Sequence, residues 1–273
     1  MNLIYSLRAR VLWVIAAIFT FVGHGALGQA TSQQIAQCFQ AAYPNTIQLV
    51  KGNESILVNK QQVALAPQHS QLPYGTLLNQ ATLGDQVSQR YPRDFATPAL
   101  NDDPGRLRNQ AFFKAMYGSN ERAIRQNMVA VTWQPSGKKV QFNRINGAAQ
   151  ALAAVGKELA QDANLKRYAA KTAGTFNYRV IKGTNRLSAH AFGIAIDFTL
   201  PKNLGTYWQW KGCREGGNCP YPQALLQDAN LKKMVAIFEK HGFIWGGKWY
   251  HYDSVHFEYR PELLHPVCRQ LAK

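Results

Sequence analysis

Two short segments hold most of the residues that could do chemistry in this chain. The first reads RLSAHAFGIAID, from Arg186 to Asp197, and the second is HYDSVHFEY, near the C-terminal end of the sequence. Together they supply His190, Asp197 and His256, two imidazoles and one carboxylate, a set that holds a catalytic zinc ion and leaves one coordination position for water. Gly193 lets the chain bend between the first histidine and the aspartate. The sequence therefore predicts one catalytic Zn²⁺ ion.

Hydrolysis at such a metal also needs a carboxylate that takes the proton of the attacking water. Asp253 lies three residues before His256 and is the candidate for this role. Glu258 competes with it, because alternation along a strand places Glu258 on the same face as His256. The spacing alone leaves both carboxylates open.

Short strands are predicted around both segments. IAIDF and TFNYRV have the β-branched and aromatic content typical of strands. VHFEY alternates, so that its apolar residues face one way and its histidine and glutamate the other. Two hairpins are also expected, within ESILVNKQQVALA and MVAVTWQPSGKKVQF.

Amphipathic helices are predicted between these strands. Apolar residues recur at helical spacing from Ile145 to Leu159 and again from Leu231 to Phe238. The segment LRNQAFFKAMYG is typical of a short helix that ends at Gly118. The chain is therefore predicted to have an α+β fold, with a small, largely antiparallel sheet flanked by helices.

Composition and charge limit the classes of function. The chain has 273 residues, of which 46% are hydrophobic and 17% charged, as in a globular protein. Its formal net charge of +16 favours an anionic partner such as nucleic acid, lipid headgroups or bacterial cell wall. No basic run is interleaved with stacking aromatic residues, so we do not expect a nucleic-acid partner.

The first 28 residues are predicted to be a cleaved signal peptide. Arg8 and Arg10 precede an apolar run from Val11 to Val22, and the small residues around Ala26 suit a signal peptidase. A retained membrane anchor is the alternative, but the apolar run is shorter than the roughly 20 residues that a spanning helix needs. We expect a periplasmic or secreted protein without a stable membrane span.

The chain contains four cysteines: Cys38, Cys213, Cys219 and Cys268. An oxidising compartment favours disulfides, and four cysteines allow three connectivities. Cys213 and Cys219 bracket a tight, glycine-rich loop, and a bond between them would leave Cys38 to join Cys268. The sequence has no CxxC pair, which argues against a zinc finger.

The two chemical segments resemble those of the zinc D-alanyl-D-alanine carboxypeptidase family. SAHAFGIAID fits the motif SxHxxGxAxD, and DSVHFE fits the motif [DE]xxH. The family includes vancomycin-resistance D,D-peptidases and phage endolysins that cut L-alanyl-D-glutamate bonds. The resemblance extends over about residues 139–262 and implies the hedgehog/D,D-peptidase type of fold, in which a small antiparallel sheet carries the zinc site.

The resemblance also implies roles for individual residues. It favours Asp253 over Glu258 as the general base and acid, and it implies that an upstream arginine stabilises the oxyanion, for which we choose Arg179. Arg186 is the alternative arginine and, with Ser188, a candidate for binding substrate. The zinc ligands implied by the family are His190, Asp197 and His256.

These roles lead to an expected function. We expect an exported zinc metallopeptidase that hydrolyses amide bonds in peptidoglycan stem peptides, of the D-Ala-D-Ala carboxypeptidase type. The alternatives are an L-Ala-D-Glu or other wall endopeptidase, a hydrolase of small dipeptides, and a non-catalytic zinc-containing wall-binding module. The expected partners are peptidoglycan peptides and the anionic cell-wall surface, which the basic chain would bind.

The sequence also indicates a division into parts. Residues 29–105 are interpreted as an N-terminal appendage of unknown role, and residues 106–273 as the zinc peptidase domain. His251, which lies between the aromatic residues and the second motif, is interpreted either as a residue that supports the metal ligands or as a solvated histidine, and we favour the solvated histidine.

Overall fold

The computed structural model describes residues 29–272, apart from residues 53 and 70. The predicted signal peptide, residues 1–28, lies outside this range. Among the helices of the described residues, none has the length and apolar character needed to cross a membrane.

Helices and strands alternate irregularly along the chain, and all of them are short. The α-helices are α1 (Ser32–Ala42), α2 (Tyr74–Gln80), α3 (Leu83–Gln86), α4 (Gln110–Tyr117), α5 (Glu121–Arg125), α6 (Ala148–Leu159), α7 (Ala163–Tyr168), α8 (Ala229–Lys240), α9 (Pro261–Leu264) and α10 (Pro266–Arg269). The strands are β1 (Ile47–Leu49), β2 (Ser55–Val58), β3 (Gln61–Ala64), β4 (Met128–Trp133), β5 (Lys138–Asn143), β6 (Thr172–Gly174), β7 (Ala195–Phe198), β8 (Phe243–Trp245) and β9 (His256–Tyr259).

The strands form three small sheets, and every pairing is antiparallel. The first sheet has the order β1-β2-β3, the second is the hairpin β4-β5, and the third has the order β6-β7-β9-β8. The predicted α+β class with small antiparallel sheets is confirmed. The family's particular fold type stays a prediction.

The four-stranded sheet separates an apolar side from a polar side. On β9, Phe257 stacks on Phe238 of α8, with the ring centroids 4.1 Å apart. Because side chains alternate along a strand, His256 and Glu258 point to the opposite face. In the register between β7 and β9, Asp197 lies directly across from His256. This register brings two residues from distant parts of the chain to one place.

Most predicted elements lie where the sequence placed them. The two hairpins are β2-β3 and β4-β5, and the two amphipathic segments are α6 and α8. Helix α4 ends at Tyr117, and Gly118 follows with a φ of 127°, a conformation that favours glycine.

The strand predicted in TFNYRV is wrong. The strand of this region is β6, which ends at Gly174, before that segment begins. Beyond it, the backbone N–H of Asn177 donates to the carbonyl of His190 at 3.2 Å, and Val180 makes an isolated bridge to Leu187. The segment therefore bonds to the loop that carries His190 instead of extending the sheet.

The N-terminal segment packs into the main hydrophobic core. Ile35 and Phe39 of α1 are fully buried in a cluster that also contains residues of α6, α8 and β9. A disulfide joins Cys38 of α1 to Cys268 of α10, which confirms one of the predicted pairings. The division between residues 29–105 and 106–273 stays a prediction.

The structure does not contain the other candidate disulfide, between Cys213 and Cys219. Within the described residues, Cys213 and Cys219 are the two free cysteines, although they lie near each other. Burial, and then a hydrogen bond with the thiol of Cys213, raise the pKa of Cys219 to about 12. The glycine-rich loop thus brings the two thiols together as hydrogen-bonded neighbours, not as a covalent pair.

Candidate active site

Three predicted zinc ligands converge at one point above β7 and β9. The Nε2 atom of His190 lies 3.2 Å from the Nδ1 atom of His256. The Oδ1 atom of Asp197 lies 3.1 Å from the former and 2.9 Å from the latter. In the described part of the chain, these three residues are the one group of histidine, cysteine or acidic residues close enough to hold a metal ion.

His190 is positioned by a tight turn between two irregular segments. It lies in a 3₁₀ helix, Ala189–Phe192, in which the hydroxyl of Ser188 accepts a hydrogen bond from the backbone N–H of His190 at 3.3 Å. Gly193 follows with a φ of 68°, and a Cβ atom there would collide with the sulfur of Met128. Glycine is therefore required at the bend between the first ligand and β7.

The outer ring nitrogen of each histidine has its own partner. The Nδ1 atom of His190 lies 2.6 Å from the carbonyl oxygen of Thr175, and the Nε2 atom of His256 lies 3.3 Å from a carboxylate oxygen of Glu258. Partners of this kind fix the tautomer of a metal-binding histidine. With the outer nitrogens bonded to these partners, the inner nitrogen of each ring faces the carboxylate of Asp197. Two ring nitrogens and one carboxylate oxygen that face each other in this way fit a bound cation.

Glu258 is held beneath the site and not in the cavity. It is fully buried, and its two oxygens accept hydrogen bonds from Arg108 at 3.1 Å and from Arg260 at 2.7 Å. Although burial alone would raise the pKa of Glu258, Arg108 and the hydrogen bond from His256 hold it well below its usual range. A carboxylate paired this firmly suits the orientation of His256 better than proton transfer.

Asp253 has the surroundings expected of a general base. It lies on the wall of the same cavity as the three converging residues. Its backbone N–H donates to the carbonyl of Gly246 at 2.9 Å, whereas its Oδ1 atom is buried and finds no hydrogen-bond partner among the described residues. Burial raises the pKa of Asp253 to about 6. A carboxyl group with a pKa near neutrality and an unbonded oxygen suits proton transfer.

A cavity of about 720 Å³ opens over the converging side chains. Arg179 is exposed on its wall, and the carbonyl oxygen of Arg179 accepts a hydrogen bond from the N–H of Ser188 at 3.1 Å. Arg186 is buried, at 7% exposure. The predicted site residues that line this cavity are Arg179, Arg186, Ser188, His190, Asp197, Asp253 and His256.

A buried polar cluster at one end of the cavity was missed by sequence reasoning. His251, interpreted as a solvated histidine, is only 1% exposed, and its Nδ1 atom lies 2.6 Å from the Oδ2 atom of Asp103. Arg106 donates to the same carboxylate at 3.0 Å. Burial alone would raise the pKa of Asp103, but the hydrogen bond from His251 and the charge of Arg106 lower it to about 2. No sequence signal links residues 148 positions apart, so this contact needed the structure.

Comparison with known proteins identifies the same segment of the chain as the two motifs. No curated protein and no solved structure matches the chain. Residues 182–259 match the model of a protein family described as D-alanyl-D-alanine carboxypeptidase. The matched segment contains the three converging residues and Asp253, whereas Arg179 lies just before it. Over residues 182–259, therefore, the resemblance to the D-alanyl-D-alanine carboxypeptidase family that both motifs predicted is confirmed.

Proposed function

We propose that this chain is an exported zinc metallopeptidase that hydrolyses amide bonds in peptidoglycan stem peptides, as a D-Ala-D-Ala carboxypeptidase. One observation carries the proposal. His190, Asp197 and His256 converge on one point, and Asp253 lines the same cavity, all within the segment that matches the peptidase family.

The donor set fits zinc. Two imidazole nitrogens and one carboxylate oxygen are ligands that zinc accepts, and three protein ligands leave a position for water or substrate. The contacts of His190 with Thr175 and of His256 with Glu258 direct one nitrogen of each ring inwards. When bound, zinc supplies Lewis-acid chemistry, since it polarises the scissile carbonyl and lowers the pKa of the attacking water.

Asp253 moves the proton in the proposed mechanism. Its carboxylate takes a proton from the attacking water as the water oxygen bonds to the carbonyl carbon. It then gives that proton to the amide nitrogen as the carbon–nitrogen bond breaks, so that the amine leaves neutral. The unbonded Oδ1 atom and the pKa of about 6 support this role for Asp253 over Glu258, whose two oxygens are already bonded to arginines.

Positive charge on the cavity wall assists the carbonyl group. Arg179 is exposed and lines the cavity, and we propose that its guanidinium approaches the oxygen that becomes negative in the transition state. Ser188 supports the turn that carries His190, through the hydrogen bond to its backbone N–H. We therefore assign to Arg179 the role of stabilising the oxyanion. We assign Ser188 to the turn that carries His190, where it is a candidate for binding substrate.

The proposed test is mass spectrometry of purified stem peptides. The peptides are incubated with the zinc-loaded chain, with a chelator-treated sample and with an Asp253→Asn variant as controls. Loss of one alanine that needs both zinc and Asp253 supports the carboxypeptidase. An internal cut with the same requirements replaces it with a wall endopeptidase, and intact peptide in every sample favours a non-catalytic wall-binding module.

A further inference from the structure

Arg186 is held rigidly at the edge of the candidate active site. Its carbonyl oxygen accepts a hydrogen bond from the N–H of Ile181 at 2.8 Å, and its own N–H donates to the hydroxyl of Thr184 at 3.1 Å. The next residue, Leu187, donates its N–H to the side chain of Gln110 at 3.0 Å. The backbone on both sides of Arg186 is therefore fixed, and its side chain lines the cavity.

The guanidinium of Arg186 is buried without a counter-charge. Its Nη1 atom reaches the carbonyl oxygen of Arg106 only at 3.4 Å, and its Nε atom has no hydrogen-bond partner in the part of the chain that the structure describes. Among these described residues, no carboxylate lies within ion-pair distance of it. Burial, together with the positive charges of Arg108 and Arg106, lowers the pKa of Arg186 to about 10.

The neighbouring charges are already neutralised by other partners. Arg108 donates to Glu258 at 3.1 Å. Arg106 donates to both oxygens of Glu215, at 3.2 and 3.3 Å. Arg186 thus differs from the buried Arg108 and from the partly buried Arg106, because among the described residues no carboxylate forms an ion pair with it. A buried, unpaired charge is unfavourable to folding, and such groups are typical of sites that bind an opposite charge.

We propose that Arg186 binds the free carboxylate at the C-terminus of the substrate peptide. This inference rests on the proposed function and makes it more specific, since it assigns the choice between a terminal and an internal bond to one residue. An arginine is suited to this role, because its planar guanidinium matches a carboxylate with two parallel hydrogen bonds.

The location of Arg186 agrees with the geometry of a terminal residue. The carboxylate of the leaving amino acid is separated from the scissile nitrogen by a single Cα atom. A group that binds it must therefore line the same cavity as the converging ligands, as Arg186 does. A stem peptide also carries other carboxylates, and the test has to distinguish these from the terminal one.

The test compares two peptides that differ only at the C-terminus. One is an acylated tripeptide that ends in D-alanyl-D-alanine, and the other is the same peptide as its C-terminal amide. Their dissociation constants are measured by calorimetry on the zinc-loaded Asp253→Asn chain, in which cleavage is slow. We expect the acid to bind at least about 30-fold more tightly than the amide. The amide lacks the negative charge, so it leaves the buried arginine without a partner.

Substitution of Arg186 shows whether it causes this preference. When Arg186→Gln is combined with Asp253→Asn in one chain, the acid is expected to bind as weakly as the amide, and the affinity for the amide should not change. Lys182→Gln is the matched control, because Lys182 is an exposed cation on the same cavity wall, and it should leave the preference intact. The preference should fall only in part in Arg186→Lys, which keeps the charge but not the planar group.

Stability provides a second readout. Because Arg186 forms no ion pair with any described residue, Arg186→Gln should unfold at the same temperature as the parent chain or at a higher one, whereas loss of a structural arginine would lower this temperature. The inference is overturned if acid and amide bind equally, if neither binds, or if Arg186→Gln weakens both to the same extent. Failure of the proposed function is a separate result, namely that the chain with Asp253 intact cleaves neither peptide.

Discussion

The carboxylate of Glu258 lies 3.3 Å from the Nε2 atom of His256, on the side of the ring away from Asp197. Two buried arginines, Arg108 and Arg260, hold this carboxylate in turn. The proposed zinc ligand is thus supported from beneath by a fixed chain of hydrogen bonds. Such supporting contacts determine how well a metal site is formed before the metal binds.

Loss of this support should weaken zinc binding. In Glu258→Gln we expect the zinc affinity to fall about 10- to 100-fold, because the ring of His256 loses its charged acceptor. The free energy of unfolding should also fall, by about 3–5 kcal/mol, because the buried Arg108 loses its counter-charge and Arg260 keeps only its pairing with Glu262. Zinc titration of the folded protein and denaturant unfolding check the two effects separately. Glu158→Gln, on a surface carboxylate, is the control, and an unchanged zinc affinity in Glu258→Gln would contradict the supporting role.

The chain should bind one zinc ion through the three converging residues. We expect about one zinc per chain after equilibration and dialysis, and almost none in His190→Ala, because two remaining ligands hold zinc poorly. His241→Ala is the matched control, since His241 binds Glu158 away from the site. Metal analysis gives the zinc content, and the absorption of the cobalt-substituted protein reports its coordination. Equal zinc in both variants would rule out His190 as a ligand.

Asp253 should control the acidic side of the pH profile. A general base acts in its ionised form, so kcat/KM should rise with pH through the pKa of this carboxyl group and level off above it. Burial raises this pKa to about 6, and a bound cation nearby would lower it, so the acidic limb should lie at pH 6 or below.

Substitution of Asp253 provides the corresponding control. Asp253→Asn should lower kcat by about 100-fold or more while zinc remains bound. Stopped assays across the pH range, with zinc content measured in parallel, check both expectations. An acidic limb above pH 7, or an active Asp253→Asn variant, would exclude Asp253 as the base.

The disulfide between Cys38 and Cys268 should stabilise the fold. The double substitution Cys38→Ala and Cys268→Ala is expected to lower the free energy of unfolding by about 2–5 kcal/mol, because the unfolded chain gains freedom. A reductant should shift the unfolding midpoint of the parent chain and leave that of this variant unchanged. The variant with Cys213→Ala and Cys219→Ala should still respond to the reductant, and loss of its response would assign the stabilising bond to the other pair.

The basic character of the chain should be visible in its binding to cell wall. A formal net charge of +16 attracts an anionic polymer, and salt screens that attraction. We therefore expect binding to purified sacculi to weaken as the salt concentration rises, measured by co-sedimentation of the Asp253→Asn chain. Binding that is independent of salt would show that the charge has another purpose.

The sequence was sufficient to predict the candidate ligands, because the chemistry depends on a few residue types at fixed spacing. It also placed α6, α8 and the two hairpins, whose apolar periodicities are clear. TFNYRV was misassigned because its side chains suit a strand, whereas its backbone bonds to the turn that carries His190. Propensity describes a single segment, but its neighbours decide whether it joins a sheet.

The surroundings of the ligands could not be predicted in the same way. The pairing of Arg108 with Glu258 joins residues 150 positions apart, and that of Asp103 with His251 joins residues 148 apart. In the sequence, nothing distinguishes these charged residues from charged residues on the protein surface. Only the tertiary structure shows which of these charges are paired, and that the Nε atom of Arg186 has no partner among residues 29–272 as far as they are described.

The bond between α1 and α10 also has a consequence for the order in which the chain folds. Its two cysteines are separated by 230 positions, and a ribosome makes α1 long before the segment that completes its packing. Until then, the apolar side chains of Ile35 and Phe39 have no C-terminal partner to cover them. Closing so long a loop is slow, and apolar surface that waits for it favours association with other molecules. We therefore expect the newly made helix α1 to need protection during synthesis.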